Sequence, residues 1–186
     1  LSNSLTLQAI LGDQSAALLA SVGKDREVAL VNLGTGGFVI RYLADDSIAT
    51  GGYLHTLVFQ DDKRQSHIAV EGTLNSIAAA LEGYPVADCT VADLAGNDIY
   101  CLAEPSGIGA PYFRKDLGLQ FSQSVAYLLP GQIASLLLEG IIFRVARILE
   151  DFHFESKIRQ VYLSGGLSEL ACLQQGIAQC IQMDVY

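Results

Sequence analysis

The sequence predicts an α/β domain built on a mixed β-sheet flanked by helices, and three observations predict it. The first half carries four short runs rich in Val, Ile, Leu and Phe, separated by Gly and Asp turns; runs of this kind form strands. The second half is dominated by one long segment of helical period, from Pro130 to about Asp151. Near the end, a short apolar run, a Gly-Gly pair and another helical segment follow one another, in the order of a strand, a turn and a helix.

Each element follows from local pattern. Leu5 to Leu11 is an apolar run that reads as a strand, and Ala16-Ala17-Leu18-Leu19-Ala20 reads as the body of a helix, so Gly12-Asp13-Gln14 falls at the handover. Glu27 to Leu33, Gly37 to Leu43, Leu54 to Gln60 and Ser66 to Val70 suit an antiparallel meander. From Gly72 the period turns helical, with Leu74, Ile77, Ala78 and Leu81 on one face and Gly83-Tyr84-Pro85 as the stop. A short helix is expected from Val86 to Leu94 and a strand from Asp98 to Leu102. Glu104 to Pro111 holds too many Gly and Pro residues to be anything but a loop. The long helix is expected to bury Ile133, Leu136, Leu137, Ile141, Val145 and Ile148. Gln160 to Leu163 is a buried strand, Ser168 is the expected N-cap of a helix reaching Cys180, and Met183 to Tyr186 reads as the start of a further strand.

A length of 186 residues fits one domain with a proper core. Hydrophobic residues make up 51% and charged residues 17%, with a mean hydropathy of +0.34, so part of the apolar surface is expected to face a partner. The greasiest stretch, Ile133 to Leu149, is interrupted by Arg144 and Arg147 and falls short of the roughly 18 apolar residues of a membrane span. No membrane association is expected. The first residues carry neither a Met nor a basic segment with a cleavage site, so they do not read as a signal peptide, and both ends read as internal to a longer protein. Twenty acidic against 11 basic residues give a net charge of −9, and no basic cluster exceeds Lys63-Arg64. That balance argues against nucleic-acid binding by counterion release. Any anionic ligand must then be held by backbone dipoles or a metal ion. Cys89, Cys101, Cys172 and Cys180 show no CxxC spacing and the three His residues are scattered, so reduced thiols of a cytoplasmic protein are expected rather than a zinc site.

Two motifs carry chemistry. Asp13, next to a Gly at a strand-to-helix turn, is read either as a helix N-cap or as a general base taking the proton of a hydroxyl that attacks a phosphate. Gln14 stands beside it for the same substrate. Gly34-Thr35-Gly36-Gly37 is read either as a hairpin turn or as a loop whose backbone N–H groups approach phosphate oxygens, with the Thr35 hydroxyl as a further donor. It is no Walker A loop, because no Gly-Lys-Ser/Thr follows, and no dinucleotide fingerprint, because a strand comes next. Gly165-Gly166, between a strand and a helix, has the geometry that receives an anion or a nucleotide. Glu71 and Glu139 each precede a Gly and are read as capping or surface residues.

In order, GDQSAALLA (12 to 20), NLGTGGF (32 to 38), VEGTLNSIAAALE (70 to 82), SGIGAPYF (106 to 113), LLEGIIFRVARIL (137 to 149) and VYLSGGLSELACLQQGIAQ (161 to 179) resemble the C-terminal half of the FGGY carbohydrate kinases. The resemblance implies a ribonuclease-H-like, actin-like ATPase fold, in which two such domains close over a cleft holding ATP, Mg2+ and a sugar or polyol. By that likeness Asp13 is the catalytic base and Gln14 and Phe38 contact substrate. Thr35, Gly36, Ala78, Gly165 and Gly166 lie along the nucleotide. Phe38 matches the aromatic found in members that act on a small polyol. Leu170 stands where the family has an adenine-contacting Asn, Ala78 where a helix Gly lets the nucleotide approach, and Glu82-Gly83 where Gln-Trp is usual. The implied partners are the acceptor, the chain's own N-terminal kinase domain and a second copy in a homo-oligomer. Without that N-terminal domain and its own phosphate loop, residues 1–186 are expected to be inactive alone. The alternative is a degenerate actin-like module that binds a sugar or nucleotide, or serves assembly, without transferring phosphate.

Overall fold

The computed structural model describes residues 10–43, 51–181 and 183–186. Most of the strand expected from Leu5 lies outside them, and Ile10 to Gly12, which are described, belong to no strand. Helix α1 (Asp13–Val22) leads into strands β1 (Val28–Leu33), β2 (Gly37–Tyr42), β3 (Leu54–Gln60) and β4 (Ser66–Leu74), then helix α2 (Ile77–Leu81). Two 3-10 turns (Val86–Asp88 and Val91–Asp93) and the two-residue strands β5 (Cys101–Leu102) and β6 (Gln120–Phe121) precede the long helix α3 (Pro130–Glu155). Strand β7 (Gln160–Ser164), a 3-10 turn (Gly166–Glu169), helix α4 (Ala171–Ile181) and strand β8 (Asp184–Val185) complete the chain.

Six strands form one mixed sheet in the order β3-β4-β2-β1-β7-β8. The pairs β1–β2, β2–β4 and β4–β3 are antiparallel, whereas β7 runs parallel to β1 and β8 parallel to β7. The first four strands are thus antiparallel, but not a meander: β4 returns between β2 and β3. The reason is burial, since β4 carries Ala69, Val70 and Leu74 for both faces while β3 keeps Leu54, His55 and Leu57 exposed at the edge.

Period-two alternation along the strands sorts the apolar residues into two cores. Val28, Leu30, Ile40, Tyr42 and Ala69 pack on Leu18 and Val22 of α1. Ala29, Val31, Leu33, Val39 and Val70 face α2, α3 and α4 on the other side. Helix α3 is buried over more than the expected stripe, with Ala134, Leu138, Ile142, Leu149 and Phe152 also enclosed, because the sheet, α2, α4 and β5 surround it; Ile133 is only half-buried. Arg41, 2% exposed on β2, donates to the carbonyls of Phe152 (2.9 Å) and Ser156 (2.6 Å) and so supplies partners at the C-terminus of α3. No helix among the described residues is long and apolar enough to cross a membrane.

Several expected boundaries move, and the strand expected from Asp98 to Leu102 is confined to Cys101 and Leu102. The helix expected from Gly72 begins only at Ile77, because the ladder with β2 keeps residues 69–74 extended and Ser76 then turns with φ +55°. Val86 to Leu94 forms two turns rather than a helix: the Asp93 carboxylate accepts from the Thr90 N–H and hydroxyl, both at 2.8 Å, which closes the chain within four residues. Ser168 donates to the Gly165 carbonyl at 2.7 Å inside a 3-10 turn, and α4 starts at Ala171.

Candidate functional site

Parallel pairing of β1 with β7, with Asn32 opposite Ser164, brings the carboxyl ends of both strands to one edge of the sheet. Antiparallel β4 finishes at the same edge, Leu74 lying opposite Gly37. Gly34–Gly37, Thr73–Asn75 and Gly165–Gly166 therefore converge, and Asn32 Nδ2 ties the two strand ends by donating to Ser164 Oγ at 2.9 Å. In open α/β sheets this edge is where ligands bind.

The Gly34 loop is a tight β1–β2 turn and something more. Gly34 N–H donates to Gly36 O at 2.8 Å, and the Thr35 carbonyl accepts from Ala78 N–H at 3.2 Å, anchoring the turn to α2. Gly36 presses on β4, since a Cβ there would lie 3.1 Å from the Leu74 carbonyl oxygen. Gly165 has φ +88° and ψ 164°, a region essentially reserved for glycine, and a Cβ would collide with the Leu33 carbonyl. The two glycine turns thus abut through Leu33.

Two cavities meet at the tip of the loop. One, of about 320 Å³, is lined by Gln14, Thr35, Gly36, Phe38, Glu71 and Thr73 among others. The second, of about 420 Å³, is lined by Thr35, Ala78, Ala79, Leu81, Glu82 and Leu167. Exposed Thr35 borders both. Gly165 and Gly166 border neither and flank the second through Leu167. A larger cavity of about 490 Å³ lies between the 3-10 turns and the start of α3, and touches none of these residues.

Asp13 opens α1 but makes no cap: Gly12 is the N-cap residue, and among the described residues the carboxylate accepts only from the adjacent Gln14 N–H, at 2.8 Å. The rest of the exposed carboxylate is available to a ligand. Glu71 corrects the surface reading. It lies within β4, 3% exposed, opposite Ile40 of β2 and Leu54 of β3, on the face that packs on α1. Burial, and then the nearby charge of Asp13, push its carboxyl above the usual range. The signal in the sequence was a carboxylate directly after the apolar run Ile68-Ala69-Val70. Glu139 is likewise buried, its Oε1 accepting from Ala95 N–H at 2.6 Å, and burial raises its carboxyl.

Behind the first cavity lies a buried network that motif reading missed. Glu104, 1% exposed, accepts from Asn75 N–H (2.8 Å), Gly109 N–H (2.9 Å) and Arg144 Nε (2.7 Å). Arg144 donates onward to the Ala110 carbonyl at 2.8 Å, and Asn75 Nδ2 to the Gly107 carbonyl at 2.9 Å. The Gly-rich loop is thereby fastened to the end of β4. All four thiols are unpaired; burial pushes that of Cys101 up to about 12 and that of Cys172 to about 11.

The family model for the C-terminal domain of the FGGY family of carbohydrate kinases matches residues 9–186. The chain belongs to this family. A glycerol kinase of Clavibacter michiganensis subsp. michiganensis is 28% identical over 193 residues, covering 95% of this chain and 38% of that protein. The solved structure of Plasmodium falciparum glycerol kinase with ADP superposes with a TM-score of 0.77 at 20% identity, over 94% of this chain and 37% of that one. A xylulose kinase from Bifidobacterium adolescentis gives a TM-score of 0.69 at 21% identity, over 94% and 36%. The mixed sheet flanked by helices is thus the actin-like ATPase fold of the FGGY kinases. The FGGY domain described here spans about 38% of the length of that curated relative. Within it, Leu170 is half-buried and packs on the core of the domain.

Proposed function

We propose that the protein containing this domain is an ATP-dependent carbohydrate kinase that transfers the γ-phosphate of ATP to a hydroxyl of a sugar or polyol. The observation that carries the reading is Thr35, which borders both cavities at once. The cavity with Gln14 and Phe38 takes the acceptor, and the one with Ala78 and Leu167 takes the nucleotide. A phosphoryl group passing between them passes the glycine loop.

Asp13 takes the proton of the acceptor hydroxyl as its oxygen bonds to the γ-phosphorus, and the bond to the bridging oxygen breaks with its electron pair leaving on ADP. The exposed carboxylate then returns the proton to solvent. Backbone N–H groups of the glycine loop and the Thr35 hydroxyl donate to the phosphate oxygens, while Gln14 and Phe38 hold the acceptor. The Gly165-Gly166 turn leaves room for the adenosine part. Among the described residues no Lys or Arg lines either cavity and no cluster of three His, Cys, Asp or Glu could hold a metal by itself, so Mg2+ would come bound to the phosphates of ATP. When bound with ATP, Mg2+ supplies neutralisation of the phosphate charge. Unpaired thiols and the use of ATP favour the cytoplasm.

The acceptor side is completed by an N-terminal kinase domain, so residues 1–186 alone are expected to release no ADP in response to an acceptor. The test is a coupled assay of ADP formation by the full-length protein with Mg-ATP and glycerol, D-xylulose, D-ribulose or gluconate. Turnover stimulated by one of them supports the reading, and turnover with none contradicts it.

A further inference from the structure

We propose that Glu71 is a substrate-binding residue that accepts a hydrogen bond from an acceptor hydroxyl other than the one phosphorylated. The proposal rests on the kinase reading above and deepens it.

The three buried glutamates of the described chain provide the comparison. Glu104 receives three hydrogen bonds and Glu139 receives one from the backbone. Glu71, 3% exposed, has no hydrogen bond or ion pair among the described residues, and it borders the cavity that Gln14 and Phe38 also line. Buried carboxylates are normally paired, because losing water without a replacement partner disfavours the fold. A partner that arrives with the ligand resolves the exception.

The surroundings decide which ligand. Asp13 is close enough for its charge to act on Glu71, so a phosphate or carboxylate would be repelled there. Among the described residues no Lys or Arg lines the cavity to pair with it. A neutral hydroxyl donates without adding charge. Phe38, opposite Thr73 on the same face, adds an apolar wall for C–H groups, and Gln14 adds an amide at the rim. A carboxylate floor, an aromatic wall and an amide rim suit a polyhydroxylated carbon chain. Asp13 addresses the reacting hydroxyl and Glu71 a neighbouring one.

The test uses the full-length protein with E71Q, which keeps the shape, and E71L, which removes the acceptor atom, on whichever of glycerol or D-xylulose the wild type turns over. Loss of one charge-assisted hydrogen bond is expected to raise the acceptor KM about 10- to 100-fold, with kcat at saturation within about 3-fold and the ATP KM and Mg2+ requirement unmoved. Without ligand, both variants are expected to melt at or above the wild-type temperature, and the acceptor is expected to stop raising it. A merely structural Glu71 gives the reverse, a lower melting temperature and an unchanged KM. An unmoved acceptor KM, a shifted Mg2+ requirement in its place, or failure of both variants to fold overturns the assignment while wild-type turnover leaves the kinase reading intact. Should the wild type turn over neither probe, calorimetric titration of glycerol and D-xylulose decides Glu71 separately, and the kinase reading fails only if D-ribulose and gluconate are not turned over either. Equal affinities in wild type and E71Q, or no binding, overturn it.

Discussion

Asp13 and Glu71 are two carboxylates set by the same sheet edge in opposite environments, one exposed at the start of a helix and one enclosed in a strand. Burial and the charge of Asp13 raise the Glu71 carboxyl in the folded state, with a sign that can be followed through pH. Below the usual glutamate value of 4.5 both folded and unfolded chains are protonated there, and the residue is neutral for stability. As pH rises past that value the unfolded chain ionises first, so the wild type loses stability until the raised value is passed. Thermal melts of wild type and E71Q from about pH 4 to about pH 8 should therefore show the variant gaining over the wild type as pH rises, then levelling off. A constant difference would mean that Glu71 ionises normally in the fold. At Gly165, substitution by Ala places a Cβ against the Leu33 carbonyl in a backbone region essentially limited to Gly, at about 1–3 kcal/mol. We expect G165A to lose that much stability in urea and to raise the ATP KM more than the acceptor KM. The start of α1 at Asp13 and the Gly34–Gly37 and Gly165–Gly166 turns were legible in the sequence because helix starts and turns are local signals. Glu71 was not, because a Glu-Gly pair before an apolar periodic run reads as a helix start, and only the ladder with β2 shows that the strand continues to Leu74.

At the scale of elements, the pattern gave the strands of the mixed sheet and the long helix, since alternation and 3.6-residue periodicity are written along the chain. Strand order was hidden: that β4 would displace β3 from the interior depends on which strand has apolar residues for both faces, a comparison between distant segments. The fastening of the Gly107 loop was hidden for the same reason, as Glu104 and Arg144 lie 40 residues apart in sequence. That buried pair links α3 to the loop and, through Asn75, to the end of β4. Removing one member leaves the other charge buried, so R144M should cost about 3–5 kcal/mol in urea unfolding. The E104Q/R144M double variant, with no orphan charge, should recover most of that loss. If the single variant unfolds like the wild type, the pair does not hold the loop.

At the scale of the molecule, an acidic chain with a net charge of −9 that is to bind an anionic nucleotide must concentrate backbone N–H groups and a cation at one edge, and the fold places both glycine turns at one edge. The apolar composition fits a domain that closes on another, because a face that packs on a partner domain is apolar when seen alone. Under the proposed function the acceptor is the part least legible from this chain, since an opposing kinase domain would share the contacts that choose among polyols. Under the proposed function this edge performs phosphoryl transfer with Asp13 as its base. The most direct test of that role is acceptor-dependent ADP formation by the full-length protein beside its D13N variant, with acceptor affinity measured in parallel. D13N is expected to lose about 10²- to 10⁴-fold in kcat while acceptor binding is largely retained. Turnover by D13N at the wild-type rate would contradict it.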